Sequence, residues 1–163
     1  MNREEFIRLV SAEQEPLRRF LLVLCGDPAE ADDIAQDAMV NAYVASGSFR
    51  GESRFGTWLF RIAYNCFIDR QRRRKLPTGP LDERAEALSA GDRADAAFRF
   101  EDLHRAIRQL PEKERAALLL FYMEDRPVKE VAAILDIPAG SVRAYLTRGR
   151  QHLKTFLEPW KTK

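Results

Sequence analysis

The sequence has few of the residues that build metal, redox and disulfide chemistry. Its 163 residues include only two cysteines and two histidines. Cys25 and Cys66 stand in apolar surroundings without a CxxC motif, which predicts free buried thiols in a reducing compartment. His104 and His152 lie far along the chain from the acidic clusters. The sequence therefore predicts no metal, no cofactor, no catalytic site and no small-molecule substrate, so we expect a protein that is not an enzyme.

Long apolar runs and strand signals are missing as well. No window approaches the length of about 18 apolar residues that a membrane span needs. The first ten residues carry acids and lack the apolar run of a signal peptide. We therefore expect a soluble, cytoplasmic protein without membrane insertion. There is no sustained two-residue alternation and no Asn-Gly or Asp-Gly turn, and helical periodicity predicts an all-α fold.

Charge of one sign is also scarce, because 27 Lys and Arg residues face 25 Asp and Glu residues, for a net charge of +2. The hydrophobic fraction of 45% indicates a globular protein rather than a disordered one. Any surface for nucleic acid must therefore come from local clusters of basic residues.

A change in composition divides the chain into two helical parts. Residues 76–95 contain Pro77, Gly79, Pro80 and Gly91, and acids outnumber bases there. Such a segment is typical of a flexible linker, and a loop of roughly twenty residues inside one compact domain would be unusual. We expect small domains of four helices each at residues 1–75 and 96–163, with a relative position that the linker does not fix.

The first domain has clear helix signals. Asp27 as N-cap, Pro28 at the first helical position and Glu30 as partner in a capping box predict a helix start. One face of that helix carries Ile34, Ala38, Ala42 and Ala45. The next helix is expected to bury Trp58, Leu59, Ile62 and Cys66, and it ends in residues 70–75, where five of six residues are basic.

The second domain ends in a predicted helix-turn-helix. A short helix with Val128, Val131, Ala132 and Leu135 on one face leads into a turn at residues 136–140 and a helix over residues 141–157. The inner face of this last helix carries Val142, Leu146, Gly149 and Leu153. The outer face carries Arg143, Ala144, Thr147, Arg148 and Gln151, and no acid occurs from Pro138 to Leu157. This pattern favours contacts with phosphates and base edges over a merely solvated basic face.

Three segments of this domain resemble the DNA-reading region of extracytoplasmic-function (ECF) sigma factors. They are LPEKER at residues 110–115, VKEVA at 128–132 and IPAGSVR at 137–143. The usual pattern of the family is LPxxxR and then IPxGTVxSRxxRAR. This chain departs from it at Ala144, Tyr145 and Gly149, where the family has Ser, Arg and Ala. These changes leave the expected fold intact, but the promoter sequence of other members cannot be transferred.

The first half resembles the same family in two further segments. DDIAQDA at residues 32–38 is similar to the stretch that binds the clamp helices of RNA polymerase, which implies a polymerase-binding role for Asp32, Asp33, Gln36 and Asp37. Acids also suit the first turn of a helix on electrostatic grounds alone.

The segment SFRGESRFGTWLFRIAYN at residues 48–65 is similar to the family segment that opens the promoter and captures an extruded base. The resemblance implies that Arg61, Tyr64, Asn65, Arg72 and Arg73 contact the downstream element. Phe60, Tyr64, Asn65 and Ile68 lie off the expected buried face, so we expect them to be exposed for base stacking and strand binding. For each aromatic side chain, ordinary packing is the other interpretation, and the basic run also suits a helix end.

The resemblance implies a sigma factor that binds promoter DNA and the β′ and β subunits of core RNA polymerase. It also implies an anti-sigma protein, while control by synthesis alone is the competing view. An ordinary helix-turn-helix regulator has no reason to carry the segment at residues 48–65. A protein that merely mimics a sigma factor should lose Asn65, Arg143 and Arg148, and this chain retains them.

Overall fold

The structure is a computed structural model that describes residues 1–74 and 95–161, with only the backbone described for residues 95–100 and 158–161. The described residues form helices and no strand, which confirms the all-α prediction. The helices are α1 (Arg3–Cys25), α2 (Pro28–Val44), α3 (Phe55–Arg74), α4 (Asp95–Arg108), α5 (Glu112–Leu118), α6 (Val128–Leu135) and α7 (Ala139–Lys161).

Local capping explains where α1 ends and α2 begins. Gly26 has φ of 78° and donates its backbone N–H to the carbonyl of Leu22, a left-handed cap that suits glycine. Asp27 accepts a hydrogen bond from the N–H of Ala29 at 3.1 Å, and Pro28 occupies the first helical position, as predicted. Glu30 instead forms an ion pair with Arg74 of α3 at 3.0 Å.

The N-terminal half contains three α-helices and a short 3₁₀ turn at Ser46–Ser48, so the prediction of four helices was wrong. The reason is that α1 continues through Pro16 as one helix of 23 residues. Its inner face packs on small side chains of α2, which let the helices approach closely. The buried side chains of α1 and α2 include Leu17, Phe20, Leu21, Leu24, Ile34, Ala38 and Ala42.

The C-terminal half contains four α-helices, as predicted. A π-helical segment at Leu119–Met123 extends α5. Asp136 ends α6 in the left-handed conformation, with φ of 59°, and α7 begins at Ala139. The turn is therefore shorter than predicted, and α7 passes through Pro159 to Lys161 instead of stopping at Leu157.

The two halves pack against each other, mainly through α3 and α6. Their buried residues join in one hydrophobic core, so in this structure contacts between helices hold the two halves together. The physical reason is that α3 offers a second apolar face, which the C-terminal half covers. The predicted linker at residues 76–95 lies outside the described residues except for Asp95, and the division into domains at its ends stays a prediction.

Candidate nucleic-acid interface

The outer face of α7 is open to solvent. Arg143, Thr147, Arg148 and Gln151 are exposed, and Ala144 is half-buried. The inner face has the predicted periodicity, since Val142, Leu146 and Gly149 are buried and Leu153 is half-buried. The structure thus brings the five predicted residues of the upstream-element surface onto one exposed helix face.

Gly149 allows α7 to lie unusually close to α5. A Cβ atom at this position would lie 2.8 Å from Cδ1 of Leu118 and 3.6 Å from Cβ of Glu114. The first distance is shorter than ordinary van der Waals contact. The family pattern has alanine at this position. In this chain an alanine would push α7 away from Leu118 of α5.

Arg148 lies between two other side chains. Its Nε is 3.6 Å from Oε2 of the buried Glu114, and its guanidinium lies 5.0 Å from the ring centroid of Tyr145. Nδ1 of His152 lies 2.7 Å from the other oxygen of the same carboxylate. Sequence reasoning missed Glu114, because a glutamate in a helix start such as LPEKER gives no sign of being buried.

The predicted polymerase-binding residues share an exposed face of α2. Asp32, Asp33, Gln36 and Asp37 are all exposed. Arg18 pairs with Asp32 at 2.9 Å, and Arg70 lies 3.7 Å from Asp33 and 3.8 Å from Asp37. The acidic face is therefore partly neutralised by basic residues of α1 and α3. Its carboxylates remain accessible to a partner.

The residues of α3 that are predicted to open the promoter are divided between the surface and the interior of the protein. Arg61, Asn65, Arg72 and Arg73 are exposed, whereas Tyr64 is only 2% exposed. Burial raises the pKa of the Tyr64 hydroxyl above its usual range. The expectation that the Tyr64 ring is exposed was therefore wrong for this arrangement. The structure places Tyr64 in the interior and the other four residues on the surface.

The predicted buried face of α3 also requires correction. Leu59 is buried, but Trp58, Ile62 and Cys66 are only half-buried. The buried side chains include those of Phe60, Ala63, Tyr64 and Phe67, although Phe60 was expected to be exposed. Of the remaining residues expected to be exposed, Asn65 is exposed and Ile68 is half-buried. The correction arises because α3 packs on α2 along one side and on α6 along another.

Charged contacts join α3 and α1 to the helix-turn-helix. Arg126 places its guanidinium 4.4 Å from the ring centroid of Phe60 and 3.6 Å from Glu13. Arg61 lies 3.5 Å from Asp136, which ends α6. A residue predicted to contact the downstream element is thus paired with the turn of the domain predicted to read the upstream element.

Two further ion pairs extend this contact between the halves. Arg19 of α1 pairs with Glu124 through two hydrogen bonds of 3.0 and 2.9 Å. Arg54 lies 3.5 Å from Glu130 of α6. The charges on the facing surfaces of the two halves are therefore complementary.

Arg115, the arginine of the LPEKER segment, has a structural position. Its guanidinium donates to the backbone carbonyls of Leu24, Arg108 and Leu110 at 2.8, 3.2 and 3.0 Å. Burial lowers its pKa. The side chain thus satisfies carbonyls at the ends of α1 and α4 and ties the halves together. The apolar run at residues 116–120 directly after it was the available signal for burial.

The remaining chemistry of the described residues is limited. Burial raises the pKa of the Cys25 thiol from 9.0 to about 12, and burial also raises that of Cys66. Across residues 1–74 and 95–161, no three His, Cys, Asp or Glu side chains are grouped so that they could hold a metal ion. None of the helices in the same ranges combines the length and hydropathy that a membrane span needs.

Comparisons with known proteins match both halves. The family model of sigma-70 region 2 matches residues 9–76, and that of sigma-70 region 4 matches residues 100–153. The RNA polymerase sigma-H factor of Pseudomonas aeruginosa is 33% identical, over 97% of this chain and 89% of that protein. The ECF RNA polymerase sigma factor SigW of Bacillus subtilis is 31% identical, over 96% and 90%.

A solved structure supports the fold. The sigma factor RpoE of Bartonella quintana, in complex with the anti-sigma factor NepR, has a TM-score of 0.79 at 23% identity, covering 96% of this chain and 98% of that one. The family matches span both halves, and the relatives match nearly the whole chain. The chain therefore belongs to the ECF sigma factors of the sigma-70 family.

Proposed function

We propose that this chain binds core RNA polymerase and directs it to promoters, using α7 for the upstream element, α3 for the downstream element and α2 for the polymerase. The observation that carries this proposal is the exposed outer face of α7, which displays Arg143, Thr147, Arg148 and Gln151 on a helix without acids up to Leu157. Such a face can enter a major groove without repelling the phosphates.

The upstream element is read by hydrogen bonds and ion pairs from α7. Arg143 and Arg148 each have a guanidinium suited to the O6 and N7 atoms of guanine. Thr147 and Gln151 can donate to and accept from base edges on the same face. Arg150 donates to the hydroxyl of Tyr122 at 3.0 Å, which favours a structural role for this arginine over base contacts.

The downstream element is opened by α3. Asn65 is exposed and has both a donor and an acceptor for the edge of an extruded base. Arg61, Arg72 and Arg73 supply positive charge along the path of the displaced strand. The acidic face of α2, at Asp32, Asp33, Gln36 and Asp37, binds basic surface on the polymerase β′ subunit, and the β subunit completes the interface.

Full engagement of the downstream element requires the two halves to separate. Tyr64 is buried beneath the C-terminal half, and its hydroxyl has no hydrogen-bond partner among the described residues. A buried hydroxyl without a partner costs about 1–3 kcal/mol. Separation exposes the Tyr64 ring for base stacking, restores solvent to its hydroxyl and frees Arg61 from Asp136. The closed arrangement is therefore that of the free protein, and promoter DNA shifts the protein toward the open arrangement.

An anti-sigma protein is the regulator that this arrangement suits. The similar RpoE structure holds the anti-sigma factor NepR. A protein bound across both halves would keep the α3 face covered and hide the acidic face of α2. The proposed partner, core polymerase, places the chain in the cytoplasm, where it acts as a transcription initiation factor without enzymatic activity, cofactor or small-molecule substrate of its own.

Run-off transcription tests the proposal. Core RNA polymerase alone should give no specific start from a genomic promoter library, and addition of this chain should give defined starts with a common upstream element. Asp33→Asn and Asp37→Asn together should reduce capture of core polymerase while the protein remains folded. A chain that binds the upstream DNA but never associates with polymerase would instead be an ordinary helix-turn-helix regulator, contrary to the proposal.

A further inference from the structure

The carboxylate of Glu114 has an unusual position behind the outer face of α7. The residue is 4% exposed, and its two oxygens contact Arg148 and His152 of α7, at 3.6 and 2.7 Å. Burial of a carboxylate is costly unless it is paired. Because Arg148 and His152 lie one turn apart on α7, Glu114 of α5 connects to one particular turn of that helix.

The same turn contains an arginine that faces outward. The Arg148 side chain is 52% exposed, so it belongs both to the contact with Glu114 and to the outer surface. The Tyr145 ring lies on another side of its guanidinium, 5.0 Å away. Because the carboxylate lies beside Nε, the two Nη nitrogens remain for an acceptor outside the protein.

We infer that Glu114 is a positioning residue for upstream-element recognition, and that it orients Arg148 before DNA arrives. This inference rests on the proposed function. An arginine side chain has many rotamers, and binding must select one of them. A guanidinium already held between Glu114 and Tyr145 needs less ordering on binding, so its preferred base should be discriminated more strongly.

His152 supports the placement of the carboxylate. Nδ1 of His152 lies 2.7 Å from one carboxylate oxygen of Glu114, within hydrogen-bonding distance. This bond holds one oxygen and leaves the other toward Arg148. The close approach of α5 and α7 at Gly149 brings the two helices near enough for both contacts.

The test is run-off transcription from a promoter library randomised across the upstream element, with core polymerase and four forms of the chain: wild type, R148A, E114Q and E112Q. R148A should lose base preference at one position of the enriched motif. E114Q should lose preference at that same position by about 2- to 12-fold. E112Q, the same substitution in the same turn of α5, should keep the wild-type motif. The double variant E114Q/R148A should match R148A.

Three results would overturn the inference. E114Q could enrich the wild-type motif, R148A could lose no position, or E114Q could weaken every position evenly together with a lowered melting temperature. The last result would indicate a purely structural role. If E114Q is too unstable to assay, E114D replaces it, because this variant keeps the buried carboxyl group but shortens the side chain. The same results then support or overturn the inference. A wild-type chain that enriches no motif would contradict the proposed function itself.

Discussion

Two helices of this protein carry the proposed DNA-binding surfaces, and these surfaces differ in what covers them. The outer face of α7 is exposed, whereas the α3 face is partly covered by α6, the first helix of the same helix-turn-helix. The C-terminal half thus presents its own proposed DNA-binding face while it covers part of the proposed face on α3. We therefore propose that upstream recognition needs no rearrangement of the halves, whereas downstream opening does.

The contacts that cover α3 differ in strength. The ion pair Arg61–Asp136 joins two exposed side chains, and the ion pair Arg54–Glu130 joins an exposed arginine to a half-buried glutamate. Each contributes about 0–1 kcal/mol because at least one partner is in solvent. Arg126 is only 11% exposed and contacts Phe60, Glu13 and Glu130 together. Arg126 can therefore hold the two halves together, while the weak ion pairs around it let them separate when DNA or polymerase binds.

The largest expected effect concerns Cys25, which lies at the junction of the halves. The variant C66S isolates its thiol. Because the thiolate is the reactive form, a pKa of about 12 instead of 9.0 lowers the reactive fraction about 1000-fold at pH 8. The rate of alkylation should be correspondingly slow, and it should rise tenfold per pH unit up to about pH 12 while the protein stays folded. Reaction at the rate of a free thiol would show that the junction is open.

The next effect concerns the link between the halves at Arg115. R115A removes the donor for three backbone carbonyls, and we expect a loss of about 3 kcal/mol or more in the free energy of unfolding. Urea denaturation measures it. R143A, which removes an exposed arginine of the same half, should change stability by less than about 0.5 kcal/mol. Equal stability of the two variants would mean that Arg115 does not tie the halves together.

A pair of substitutions separates the steps assigned to the two DNA-binding faces. R143A should weaken binding of the upstream element by about 5- to 150-fold, since a specific base contact contributes about 1–3 kcal/mol. N65A should leave closed-complex formation unchanged and reduce strand separation. Band shifts measure the first effect and permanganate footprinting the second. Permanganate reactivity in N65A equal to that of the parent would remove Asn65 from the melting step.

An effect of similar size concerns the packing of α7 on α5, behind the exposed face of α7. G149A places a Cβ atom 2.8 Å from Leu118, so it should destabilise the fold by about 1–3 kcal/mol, although alanine is the better helix former. G140A in the same helix meets nothing within 4 Å and should be neutral or stabilising. Thermal unfolding compares them. Equal unfolding temperatures of the two variants would contradict the close approach of α5 and α7 at Gly149.

Local features were predictable from the sequence. The cap at Asp27 depends on residues next to each other in the chain, and the inner and outer faces of α7 follow from helical periodicity. The sigma-factor resemblance was confirmed by the family matches; it was carried by the segments at residues 32–38, 48–65, 110–115, 128–132 and 137–143. Periodicity tells which side chains share a face, and short motifs tell which family shares the pattern.

Contacts between the halves were not predictable in the same way. Phe60 was expected to be exposed because it lies off the predicted buried face of α3. Its partner, Arg126, belongs to the other half of the chain, so helical periodicity could not reveal the contact. Arg115 was placed in a DNA-reading segment, but its partners include the carbonyl of Leu24 in α1. In the sequence, the second apolar face of α3 only makes the helix apolar over a wider arc. Periodicity does not tell whether solvent, DNA or another helix contacts that second face.

A cross-link between the two halves tests most directly whether they must separate for promoter opening. In a background without Cys25 and Cys66, R54C places a thiol just before α3 and E130C places one on α6, and both lie outside the proposed DNA-binding residues. A short bismaleimide joins the halves, and a monomaleimide blocks the same thiols without joining them. The cross-linked protein should give no run-off transcript, while the blocked protein transcribes like the unmodified variant. Equal transcription by the cross-linked and blocked proteins would contradict the claim.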